Sequence, residues 1–145
     1  MSNMHPLSYR GRNFGIVVLV VVQLIIGLIH VVFGGWLLLA SNDSASFGFS
    51  LGHIHNLYTL LYGLLTMVFT VGLWFKKNWG WYGTLAVGFF VIVADSLRML
   101  DLPGVPGIPK VAGFGEIPYS SIVVAYLLQS QVRKEYRIDN WVKNS

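Results

Sequence analysis

Three histidines and an aspartate sit where polar side chains are costly. His30 lies in a run from Phe14 to Ala40 that contains no Lys, Arg, Asp or Glu. His53 and His55 form the motif "GHIH" just before a second apolar run, and Asp95 lies near the end of a third. Imidazole and carboxylate together are the ligand set that copper, zinc or iron accepts. His30, His53, His55 and Asp95 are therefore the candidate metal ligands. His30 and His55 on neighbouring helices are also the candidate axial ligands of a haem or a chlorophyll-type tetrapyrrole. The motif is weak alone: on a strand both rings would share a side, whereas on a helix they diverge by about 200°.

A simpler reading needs no cofactor. Ionisable groups within a membrane pair with one another inside the bundle. Asp95, Arg98, Asp101 and Glu116 form such a structural polar cluster. Arg98 is expected to pair with Asp95, Asp101 or Glu116, and His30 with Asp95 or with His53 and His55.

The elements that position these residues are apolar. The 145 residues are 54% hydrophobic and only 11% charged, against about 25% charged in soluble domains. Mean hydropathy is +0.62. One all-helical membrane domain is expected, with spans at about 14–39, 57–75, 81–100 and 117–132 and a basic tail over 133–145. A helix needs about 20 apolar residues to cross a bilayer core of about 30 Å. The first run exceeds that, and it is too long for a signal-peptide core of about 7–15 residues. The fourth is the shortest, and Pro118 suits its first turn, where a missing N–H costs nothing.

The basic residues set an orientation. Arg10 and Arg12, then Lys76 and Lys77, then Arg133, Lys134, Arg137 and Lys143 fall on one side of such a bundle, and Arg98 and Lys110 toward the other. The positive-inside rule then places both termini in the cytoplasm of a plasma or equivalent membrane. Trp74, Trp79 and Trp81 are expected in an aromatic belt at the inner face, with Trp36 near the outer one. Tyr136 and Trp141 are expected at the headgroup layer. The net charge of +4 points to anionic headgroups, not nucleic acid. Pro103, Pro106 and Pro109, spaced by three, predict a stiff extended strap over Asp101–Glu116.

Small and polar residues recur at helical spacing. Gln23, Gly27, His30 and Gly34 share one face, as do His55, Thr59, Gly63, Thr66 and Thr70. Gly80, Thr84, Gly88 and Asp95 form a third stripe, and Ser121 with Ala125 a poorer fourth. Such stripes let membrane helices approach closely. At 1.5 Å per residue, His30 stands about 24 Å from Phe14 and Asp95 about 21 Å from Trp81. Hairpin topology therefore gathers His30, His53, His55, Asp95 and Glu116 at one end.

With no cysteine, thiolate centres and disulfides are excluded. No Gly-rich phosphate loop, GxSxG elbow or HExxH pattern occurs. No broken helix at the midplane marks a transporter. The expected function is that of an accessory or scaffolding subunit of a larger membrane complex, without catalytic activity of its own. Energy-converting, respiratory, photosynthetic and copper-oxygenase assemblies are the candidate hosts. The partners are the bilayer and either other integral membrane subunits or further copies of the chain. The alternative is a metal- or haem-binding electron-transfer or oxidoreductase protein built on the His/Asp cluster.

Overall fold

The computed structural model describes residues 13–40, 51–104 and 108–138, with the side chains of 51–53 left aside. Its helices are α1 (Phe14–Ala40), α2 (Leu51–Trp74), α3 (Asn78–Met99), α4 (Lys110–Leu127) and α5 (Ser130–Glu135). No strand occurs among the described residues. Three segments, Phe14–Ala40, Ile54–Trp74 and Asn78–Met99, are long and apolar enough to cross a membrane.

Packing follows the small-residue stripes. A Cβ built on Gly63 would lie 2.7 Å from the Val31 nitrogen and 2.8 Å from the Gly27 carbonyl oxygen. One built on Gly34 would lie 2.7 Å from the Leu60 nitrogen. Glycine is therefore what allows the α1 and α2 backbones to touch. Deeper in the same seam, Thr70 Oγ1 has the Thr66 carbonyl at 2.6 Å and Gln23 Oε1 at 3.0 Å as acceptors. As positions rise along α1, their contacts on α2 fall, so the pair is antiparallel. Gly72 meets Gly80 and Phe69 meets Gly83 across α2 and α3. Gly88 meets Val124, and Gly113 meets Met99, across α3 and α4. Each neighbouring pair is an antiparallel hairpin.

Four features differ from the sequence expectation. First, α2 begins at Leu51, six residues before 57, which puts the "GHIH" motif on the helix. Second, α4 begins at Lys110, not near 117. Pro109 caps it in extended conformation, Pro118 lies in its interior, and the expected strap loses its second half to helix. An interior proline costs about 3 kcal/mol. Against that cost, the added turns bury Gly113 on Met99 and carry Glu116 into the bundle.

Third, α4 stops at Leu127 instead of running to 132, and Gln129 turns extended before α5. The chain then folds back beneath the bundle. Val132, Tyr136 and Ile138 are buried. The Tyr136 hydroxyl donates to the Leu73 carbonyl at 2.9 Å, and Lys76 pairs with Glu135 at 2.6 Å. Tyr136 is thus a core residue, not a headgroup anchor. Trp81 likewise leaves the expected belt: it is buried and donates its indole N–H to the Leu127 carbonyl at 3.0 Å. The remainder of the expected tail, from 139 on with Trp141 and Lys143, lies outside the described residues.

Fourth, Ser121 and Ala125 are exposed. The face that α4 buries is Gly113, Ser120, Val123, Val124 and Leu127.

Gly63→Leu should destabilise the protein by at least about 1–3 kcal/mol, because the new side chain meets backbone that has no rotamer to give. Gly35→Leu, with nothing within 4 Å of its Cβ, should change stability by no more than about 0.5 kcal/mol. Unfolding of both variants in mixed detergent micelles measures the difference.

Candidate functional site

The end of the bundle where the second half of α1, the first half of α2, the end of α3 and the start of α4 converge holds most of the buried ionisable groups. Glu116 is its hub. His30 Nε2 stands 3.9 Å from Glu116 Oε1, with each side chain about one-quarter exposed. The other ring nitrogen, Nδ1, donates to the Ile26 carbonyl at 2.8 Å. A carbonyl only accepts, so Nδ1 carries a proton and Nε2 is the nitrogen that faces the carboxylate. The imidazole edge packs on Tyr62, with ring centroids 4.8 Å apart at 83°. Tyr62 in turn stacks near Tyr58, 6.3 Å away at 13°.

Asp95 is the second carboxylate. It is 1% exposed, and neither of its oxygens has a hydrogen-bond partner. Glu116 is the charged group facing it. No Lys or Arg among the described residues forms a salt bridge with either acid. Arg98 does not pair with Asp95, Asp101 or Glu116 as expected; it donates Nε to the Ile108 carbonyl at 2.9 Å. Its side chain is drawn to the chain entering α4, one turn beyond Asp95. Asp101 instead pairs with Lys110 at 2.6 Å, on the surface. The expected cluster of four therefore splits into a buried acid pair, a backbone tether and an exposed ion pair.

The partner of His30 is thus Glu116. Asp95 lies behind that glutamate. Glu116 had read as part of an extended loop. Its signal was the spacing Gly113, Glu116, Ser120, Val123, Leu127, which is one helical face. Tyr58 and Tyr62, one helical turn apart, flank the Thr59–Gly63 stripe and were also missed.

Beside the cluster is a cavity of about 170 Å³ between α1, α2 and α4. His30, His55, Tyr58, Tyr62, Ile108 and Glu116 are among its walls. His55 Nδ1 and the Tyr58 hydroxyl are buried without hydrogen-bond partners. The two candidate tetrapyrrole ligands, His30 and His55, do reach one cavity. Its volume falls below the roughly 300–1,000 Å³ of pockets for drug-sized ligands, so it suits a ligand of a few heavy atoms better than a tetrapyrrole. Among the described residues no group of three or more His, Asp or Glu is arranged to hold a metal ion. The side chain of His53, the fourth expected ligand, lies outside them.

A broader basin of about 830 Å³ at the opposite end is lined by Lys76, Lys134, Arg137 and Glu135 among others. Comparison with protein-family models, with curated proteins and with solved structures finds no match to this chain.

Two outcomes follow from the buried and the exposed acid. A buried polar side chain that makes no hydrogen bond carries a desolvation cost, which an apolar side chain of the same branching removes. Asp95→Leu should therefore leave unfolding stability unchanged or raise it, and a clear loss would mean that Asp95 makes a stabilising bond. The hydrogen bond and charge of Lys110 hold the Asp101 carboxyl below its ordinary value of 3.8. A lowered acid stabilises the fold above the ordinary value, and that contribution is lost as pH falls through the lowered one. Thermal unfolding should show wild type slightly above Asp101→Asn from neutral pH down to about pH 4, with the gap closing at lower pH. The pair is fully exposed, so the gap is small.

Proposed function

We propose that this chain is a small integral membrane protein acting as an accessory or scaffolding subunit, with α4 as a fourth span and both termini in the cytoplasm. The orientation is supported by the eight basic residues of the two termini and the α2–α3 turn, against Arg98 and Lys110 at the other end. At 1.5 Å per residue the 18 residues of α4 extend about 27 Å, near the thickness of a bilayer core.

The observation that carries the subunit role is the outward face of α4. Phe114, Pro118, Ser121 and Ala125 fall on one face and are all exposed. Pro118 has no N–H, so the Phe114 carbonyl lacks its helical donor. In lipid a backbone carbonyl without a donor costs several kcal/mol. Ser121 adds a hydroxyl, and Ala125 leaves room for a close neighbour. Between the exposed Phe114 and Ile122, the small and polar positions Pro118, Ser121 and Ala125 are of the kind membrane helices use to bind one another. The broad apolar faces of α1 and α3, with Val21, Ile25, Leu28, Phe89 and Val93 exposed, need only lipid.

Size measurement of the protein extracted in mild detergent tests this. Wild type should migrate as a complex well above the 16.2 kDa of one chain. Ser121→Leu combined with Ala125→Leu should release it as a single chain of unchanged helicity. A wild-type protein that is a single chain in native membranes, as read by cross-linking before extraction, would refute the proposal.

A further inference from the structure

The cavity beside Glu116 has walls of a particular chemistry. Glu116 lines it with two imidazoles, His30 paired to the carboxylate and His55 within its electrostatic reach, and Asp95 stands outside the walls on the far side of Glu116. Asp95 makes no salt bridge of its own, so Glu116 is the carboxyl through which the cluster meets the cavity. Arg98 and Lys110, the nearest basic residues in sequence, are engaged elsewhere, on the Ile108 carbonyl and on Asp101. A carboxylate among apolar helices is met by a proton or a cation.

The space available favours an organic ion. About 170 Å³ is far more than a bare metal ion fills, and no cluster suited to a metal occurs there among the described residues. Tyr58, Tyr62 and Phe33 supply aromatic walls, and Glu116 supplies the counter-ion. An ammonium against the face of a tyrosine gains about 0.5–2 kcal/mol, the upper figure applying where water is excluded. The unpartnered His55 Nδ1 and Tyr58 hydroxyl offer polar points for a substituent on such a ligand. Ile29, Phe33 and Pro109, also in the walls, are exposed and mark where the cavity reaches the surface.

We infer that the cavity between α1, α2 and α4 is a binding site for a small organic monocation, an amine or methylated ammonium, with Glu116 as its counter-ion and Tyr58 and Tyr62 as its aromatic walls. Asp95 acts through Glu116, keeping the cluster short of positive charge. The inference is independent of the subunit role, since it concerns the interior of one chain.

Calorimetric titration of the detergent-purified protein with tetramethylammonium chloride is the test, at ionic strength held constant with sodium chloride. Tert-butanol serves as the uncharged probe of similar shape. Wild type should bind tetramethylammonium saturably and at least tenfold more tightly than tert-butanol. Glu116→Gln should lose at least tenfold in affinity while keeping its helicity. Ala112→Phe fills the cavity from α4 without touching charge, and it should abolish binding; it carries the test if the glutamine variant does not fold. No saturable binding by wild type, equal binding of the two probes, or full affinity in the folded Glu116→Gln or Ala112→Phe variant would each overturn the inference.

Discussion

A carboxylate carried into a bundle of apolar helices must meet a proton, a donor or a cation, and the placement of Glu116 imposes that requirement on everything around it. His30 answers it from α1, with its ring held in one tautomer by the Ile26 carbonyl and braced on Tyr62. Asp95 sharpens it from α3 by bringing a second acid with no hydrogen bond of its own. The aromatic walls come from α2. Four helices are therefore tied to one side chain, and the glycine contacts between α1 and α2 bring His30 and Tyr62 close enough to take part. Buried acids of this kind contribute little to stability.

Much of this arrangement was legible in the residues. The three longest helices follow from unbroken apolar runs. Their contact faces follow from Gly27, Gly34, Gly63, Thr66, Thr70, Gly80, Thr84 and Gly88, all of which are buried. Bringing His30 and Asp95 to one end required only hairpin topology. Less was legible in the fourth helix. Three prolines and several glycines between Asp101 and Pro118 argue for extended chain by local propensity, and tertiary contacts with α3 override that argument. Glu116 was legible as a member of the polar cluster at that end, but its pairing with His30 was not, because as a loop residue it was expected to meet Arg98. The break at Leu128–Gln129 has no proline or glycine to announce it. It is set by the burial of Val132, Tyr136 and Ile138 under the bundle, a contact between segments some sixty residues apart.

The two ends of the molecule differ in kind. One gathers acids, imidazoles and phenols around a small cavity. The other is basic at its surface and closed by the Tyr136 hydroxyl and the Lys76–Glu135 pair. The helices between them carry small residues inward and branched or aromatic ones outward. The exception is α4, whose outward surface sets Pro118, Ser121 and Ala125 among exposed Phe114 and Ile122. Those two departures from a plain apolar bundle, one inside and one outside, are where the proposed interactions fall.

That closing segment bears on biosynthesis. Residues 132–138 are synthesised after every helix they cover, and after both sides of the α1–α2 seam with its glycine contacts and its Thr70–Gln23 bond. A hairpin formed at that stage would hold His30 beside Tyr62 without its acid until α4 is made, and the basic end would stay unlatched until residues 132–138 follow. A chain released early would keep its first hairpin yet lack both the latch and the completed acid pair. Quality-control proteases would then meet an open end carrying Leu73 and Trp81 uncovered, two side chains that the finished protein hides almost completely.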